Sequence, residues 1–278
     1  MVPLADKRKL TSQFVRSKIR LVKIWLMFAS RAAQSQLLTS WSGVLFLFGK
    51  LVRFFLYFVF LFTIMSSTKT LVGYNREQVV IFYLIFNLVE ITSQCLFRGV
   101  YQFRSLVVSG DFDFELLRPL PSFFRPLFGW TDILDLITLP PLWAYFFWFI
   151  SNNLPPVVLS NLILFLLLFG NSILIAFSFH LFFSSVSILT TQIDPLVWTY
   201  RDLTTMARFP TDIYQKTIQL ILTFIVPVVV LITIPAKALF GLLSWRWIVL
   251  SFLLGIVFLR FSVSFWQYSL KRYSSASS

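Results

Sequence analysis

Few residues in this chain could do chemistry, and their types narrow what that chemistry is. Asp132 and Asp135 stand one helical turn apart, a spacing also found in paired carboxylates used for acid/base work. The chain has one histidine, His180, and one cysteine, Cys95, in separate apolar stretches. A lone histidine does not build the usual zinc clusters, and a lone cysteine excludes an internal disulfide. No Gly-Lys-[Ser/Thr] phosphate loop is present, so no ATP site is visible in the chain itself. Asp132 and Asp135 lie near the start of an apolar run, where they read as solvated acids favoured by a helix start. His180 reads as a satisfied buried side chain rather than a proton relay. The expectation is a chain with no catalytic residues, no metal site and no cofactor-binding residues.

Two charges stand deeper in apolar sequence. Arg53 and Glu90 lie about nine and ten residues inside segments of ~20 residues, and a charge at mid-bilayer costs about 2.5–3.5 kcal/mol. Antiparallel neighbours would bring them to similar depth. They are expected to form an intramembrane ion pair, with Lys50 snorkelling to the nearer interface.

Stepping outward, the elements that hold these residues are membrane spans. Of 278 residues, 58% are hydrophobic and 13% charged, against about 25% charged in a soluble domain. There is room for about six spans of ~20 residues. The formal net charge is +13. With no soluble basic module present, that excess reads as membrane orientation and not as nucleic-acid binding. Residues 1–43 form a cytoplasmic basic amphipathic segment, expected as a helix in the membrane interface. Residues 44–270 form the transmembrane domain, and 271–278 a cytoplasmic tail. Spans are expected over Val44–Met65, Val79–Val100, Leu127–Ile150, from Val157 onward, and over Trp247–Tyr268. Between the last two, two readings stand. Either Ile218–Ile234 crosses, or residues 188–209 cross and 214–240 fold as a re-entrant hairpin, which Pro227 and Pro235 favour. Both place the two termini in the cytoplasm.

The most polar interruption of the apolar middle is Gly110–Pro121, within a cytoplasmic loop of about 101–126. Gly110 can end one helix in the left-handed conformation. Asp111, Asp113 and Glu115 open the next, where the macrodipole favours acids. Leu116 and Leu117 offer apolar contacts, and Pro119 and Pro121 stop the helix beyond Arg118. A stiff, capped element of this kind transmits a displacement that a flexible loop would absorb.

These residues resemble a known family. Gly73-Tyr74 with Glu77, Ser109–Asp113 with Leu116–Leu120, Phe209-Pro210 through Phe240-Gly241, and Trp266 with Leu270–Ala276 follow the pattern of type-2 permeases of ABC transporters, in a bacterial six-span subfamily. The resemblance implies an all-α integral membrane protein with six transmembrane helices, in a class where the segment before the last span is often re-entrant; the N-terminal forty residues, read above as an interfacial helix, match it only in character. It implies export by alternating access, with ATP and Mg on a separate cytoplasmic ATPase subunit. It also implies a second permease subunit, as homodimer or as heterodimer with a relative, in the bacterial inner membrane. Coupling to the ATPase would run through Gly110, Asp111, Phe112, Asp113, Glu115, Leu116, Leu117, Arg118 and Pro119. Two other functions are weighed against this one. A secondary transporter would have only Glu90 as a mid-span coupling acid, and a structural membrane-assembly subunit would need no coupling at all.

Overall fold

Apolar runs of this length must satisfy their backbone hydrogen bonds internally, which in a membrane leaves helices or closed barrels. The computed structural model describes residues 20–35, 40–68, 70–190 and 194–274, and it is all-α. The first nineteen residues of the basic segment, residues 36–39 and the tail beyond 274 lie outside the described residues. In chain order the helices are α1 (20–35), α2 (Ser40–Ser67), α3 (Arg76–Phe97), α4 (Val100–Ser109), α5 (Asp111–Leu116), α6 (Phe124–Phe128) and α7 (Ile133–Asn153). They continue as α8 (Leu159–Leu189), α9 (Asp194–Thr205), α10 (Lys216–Phe224), α11 (Ile234–Leu239) and α12 (Trp245–Lys271).

The bundle has two ends. One carries the α4–α6 loop and is called here the loop end; the other carries Tyr74 and is called the far end. Helix α3 is buried along most of its length and α2 along almost none. Helix α3 starts at a reciprocal cap, in which Gln78 N donates to Asn75 Oδ1 and Asn75 N to Gln78 Oε1. Helices α7, α8 and the chain after α9 surround α3, and α12 lies along α8.

Five helical stretches are long and apolar enough to span: Gly43–Ser66, Arg76–Ser109, Ile133–Asn153, Leu159–Leu189 and Trp245–Lys271. The third begins at Ile133 and not at Leu127. Gly129–Asp132 break the chain there, and Asp132 caps α7 by accepting from Leu134 N at 2.9 Å. The long apolar stretch after Val157 is one continuous helix of 31 residues, α8.

Between α8 and α12 the chain forms a sharply bent helix pair. Lys216–Phe224 and Val229–Leu239 meet at 83°. Thr211 Oγ1 lies 2.8 Å from Thr233 Oγ1, and Lys237 bridges to Asp212 at 2.8 Å. Phe240 meets Phe82 and Tyr74. The segment therefore starts and finishes at the far end. Its middle, Val226, reaches the cluster of Val100, Phe183, Val197 and Tyr200 deep in the bundle. A π-helical turn at Val229–Thr233 and Pro227 absorb the bend. Helix α9 and the turns after it run beside α3 and carry the chain from the end of α8 to Asp212, which meets Tyr74 at the far end.

Helix α12 approaches α8 along buried small residues, Ser251, Gly255, Ser262 and Ser269. Small residues permit the close contact on which helix association in lipid depends. Asn171 of α8 donates to Ser251 O at 2.9 Å and Ser251 Oγ at 3.0 Å. A Cβ added at Gly255 would fall 2.1 Å from Asn171 Oδ1, whereas Gly170 faces open space. Gly255→Ala should lower stability by ~1–3 kcal/mol, read as a fall in melting temperature in detergent, with Gly170→Ala neutral. Equal melting of the two variants would contradict this packing.

Candidate functional site

The α4–α6 loop is built in two layers. Gly110 takes φ 79°, ending α4 through a bond from its own N–H to Val107 O, and α5 turns away at once. The first turn of α5 carries Asp111 and Asp113. The inner layer is Phe112, which is fully buried. Its ring meets Phe103 at 4.9 Å, Tyr273 at 5.3 Å and Trp266 at 6.3 Å. Trp266 Nε1 in turn donates to Ser122 Oγ at 3.0 Å. Aromatic edge contacts of this kind add about 0.5–1.5 kcal/mol each beyond area burial. Burial and the Asp113 carboxylate push the Tyr273 phenol up from its usual range. Glu115 faces inward too, tied to Arg125 and, at 3.2 Å, to Arg118.

The outer layer is apolar and uncovered. Leu117 is 83% exposed, Phe114 66% and Leu116 39%. Of the residues expected to couple, Leu117 and in part Leu116 point outward, while Phe112 and Glu115 seat the helix. Phe114 is the outward residue that sequence reasoning passed over. Its place two residues from Phe112 on a six-residue helix puts the two rings on different sides.

The charges inside the bundle pair differently from expectation. Glu90 is bound by Arg201 of α9, with Nη2–Oε1 at 3.1 Å and Nε–Oε1 at 3.2 Å. Arg53 is exposed on α2, the least buried helix. The expected Arg53–Glu90 bridge is replaced because α9 crosses the bundle beside α3 and brings a closer cation. Arg201 also lies over the rings of Trp198 and Tyr101 at 5.0 and 5.9 Å. Lys50 does not simply snorkel; it binds Asp135. Arg98 joins the group, 2.8 Å from Asp132 and 3.3 Å from Asp135. Both acids are buried and ion-paired, not solvated.

His180 is buried, its Nδ1 2.7 Å from Ala176 O. It lines, with Glu90, Ser93, Tyr200 and Thr204, a cavity of about 10 Å³ closed on one side by Leu231 and Ile232. That volume is about that of a single water-sized sphere. Among the described residues no group of acids, His and Cys could hold a metal ion. At the far end, Tyr74 donates to Asp212 at 2.9 Å, and Lys237 binds the same carboxylate. Burial and Asp212 raise the Tyr74 phenol above its usual range, keeping it the donor.

The described residues thus form five long apolar helices, one bent helix pair and a seated loop helix. The profile of the family described as ABC-2 family transporter protein matches residues 51–277. The chain belongs to that family. No curated protein and no solved structure gives a significant match. The ABC-2 membership makes this chain a multi-pass membrane protein and a permease of an ABC transporter system. Such a system includes an ATPase partner, and its permease is generally not itself catalytic.

The Glu90–Arg201 bridge holds a polar helix in the permease. Each side chain keeps about a quarter of its surface exposed, so Glu90→Gln or Arg201→Gln should cost about 1–3 kcal/mol. The double variant should cost less than the sum of the two, and Arg53→Gln should melt close to wild type. A double-mutant cycle in detergent checks this. Additive losses, with Arg53→Gln as damaging as Arg201→Gln, would return the pairing to Arg53.

Proposed function

We propose that this chain is the transmembrane subunit of an ATP-driven exporter in the bacterial cytoplasmic membrane, moved through α5 by a separate ATPase. The observation that carries the reading is the split character of α5. Phe112 fixes it to the bundle while Phe114 and Leu117 stand uncovered on its other side. An apolar pair of this exposure at a loop suits the groove of a partner protein. The seat determines where a push goes. Phe112 touches α4 through Phe103 and α12 through Trp266. Helix α4 continues the central α3, and α12 lies along α8. Displacement of α5 thus reaches the core and the last span together.

In this reading the loop end is cytoplasmic, as are both termini. ATP and Mg sit on the ATPase, and this chain contributes no cofactor site. A second permease subunit, identical or related, completes the pathway. The Tyr74–Asp212–Lys237 contacts close the far end, and the hairpin between them is the element that shifts in alternating access.

Phe114→Ser with Leu117→Ser should leave membrane insertion and melting unchanged, because neither side chain is in the core. It should reduce co-purification of the ATPase with tagged permease by ~10-fold or more, in line with loss of two interface anchors. Phe112→Ala should instead lower the melting temperature. Full recovery of an active ATPase complex with the double variant would remove α5 from the docking surface.

A further inference from the structure

A second feature stands at the loop end, beside α5. Between α1, α4 and α6 lies a cavity of about 510 Å³. Its lining includes Arg31, Arg118, Arg125 and Gln102. Among the described residues no acid lines it. The nearest carboxylate bound to these groups is Glu115, which Arg118 and Arg125 share. Positive charge therefore exceeds negative around the cleft. The wall beside the arginines is aromatic: Phe28 and Trp130 line it, and Arg125 stacks over Phe28 at 5.9 Å. The same helix exposes Val22, Leu26 and Met27 to its surroundings.

We infer that this cleft binds a phosphate ester, in the form of the headgroup of an anionic phospholipid. Three features meet this chemistry. Guanidinium groups give paired, charge-assisted hydrogen bonds to phosphate oxygens, which a single lysine cannot match. The volume falls within the range of small-molecule sites and exceeds what a simple ion needs. The exposed apolar residues of α1 offer a surface for acyl chains beside a polar head, as an interfacial helix does. A lipid held there bridges α1 to the loop that carries α5. Occupancy then fixes α1 against the bundle.

The test is native mass spectrometry of the detergent-solubilised full chain titrated with phosphatidylglycerol and, separately, phosphatidylcholine. Wild type should retain phosphatidylglycerol in preference. Arg31→Gln should weaken that retention about fivefold, the effect of one basic residue near an anionic headgroup. Ser105→Trp, an exposed position on the cleft wall, should block it sterically with no change in charge. Wild-type melting of the variants separates loss of binding from loss of fold. A competition arm uses glycerol phosphate. Displacement of the lipid at millimolar ester supports the phosphate site with a soluble source, and no displacement supports the lipid. Equal retention of both lipids by wild type, or retention unaltered in both variants, overturns the inference.

Discussion

The bridge between Glu90 and Arg201 decides how this chain can sit in a membrane. Without it, α9 would carry an unpaired guanidinium through the bundle, and α3 an unpaired carboxylate at its centre. With it, a helix of little apolar character packs beside α3. The Trp198 and Tyr101 rings cover the remaining face of the guanidinium. Beyond α9 the chain reaches the far end at Asp212, and the bent pair Lys216–Phe224 and Val229–Leu239 ends there too, where Lys237 meets the same carboxylate.

The hairpin is in turn constrained at both of its ends and at its tip. Thr211–Thr233 and Asp212–Lys237 tie the two arms together, and Val226 reaches Tyr200 and Phe183. Its turn residues leave regular α-geometry where the surrounding helices can satisfy the backbone. The small polar cavity around His180 lies against the returning arm.

At the loop end the same economy of contacts holds. A buried phenylalanine, Phe112, anchors a six-residue helix that would be unstable alone. Its tie to Trp266 and Tyr273 makes the last span part of the loop's foundation. Much of this was legible in the sequence. Gly110, the early acids and the closing prolines marked a capped short helix from local rules alone. Which side of that helix faced inward was not legible. Six residues give too short a period to orient, and both faces carry large apolar groups. The roles of Phe112 and Phe114 therefore emerged only once α12 was in place.

The sequence by itself determined the membrane class, the helical content, the approximate spans and the polar loop. Each follows from composition and from periodicity over neighbouring residues, which act locally. The family pattern was legible for the same reason, as short blocks in a fixed order. Tertiary structure alone decided that Glu90 meets Arg201, that Lys50 and Arg98 pair with Asp135 and Asp132, and that the helices between 216 and 239 meet at a sharp bend. These outcomes depend on which distant segments become neighbours. A charged residue in lipid takes the nearest opposite charge that packing supplies, and no hydropathy window contains that distance.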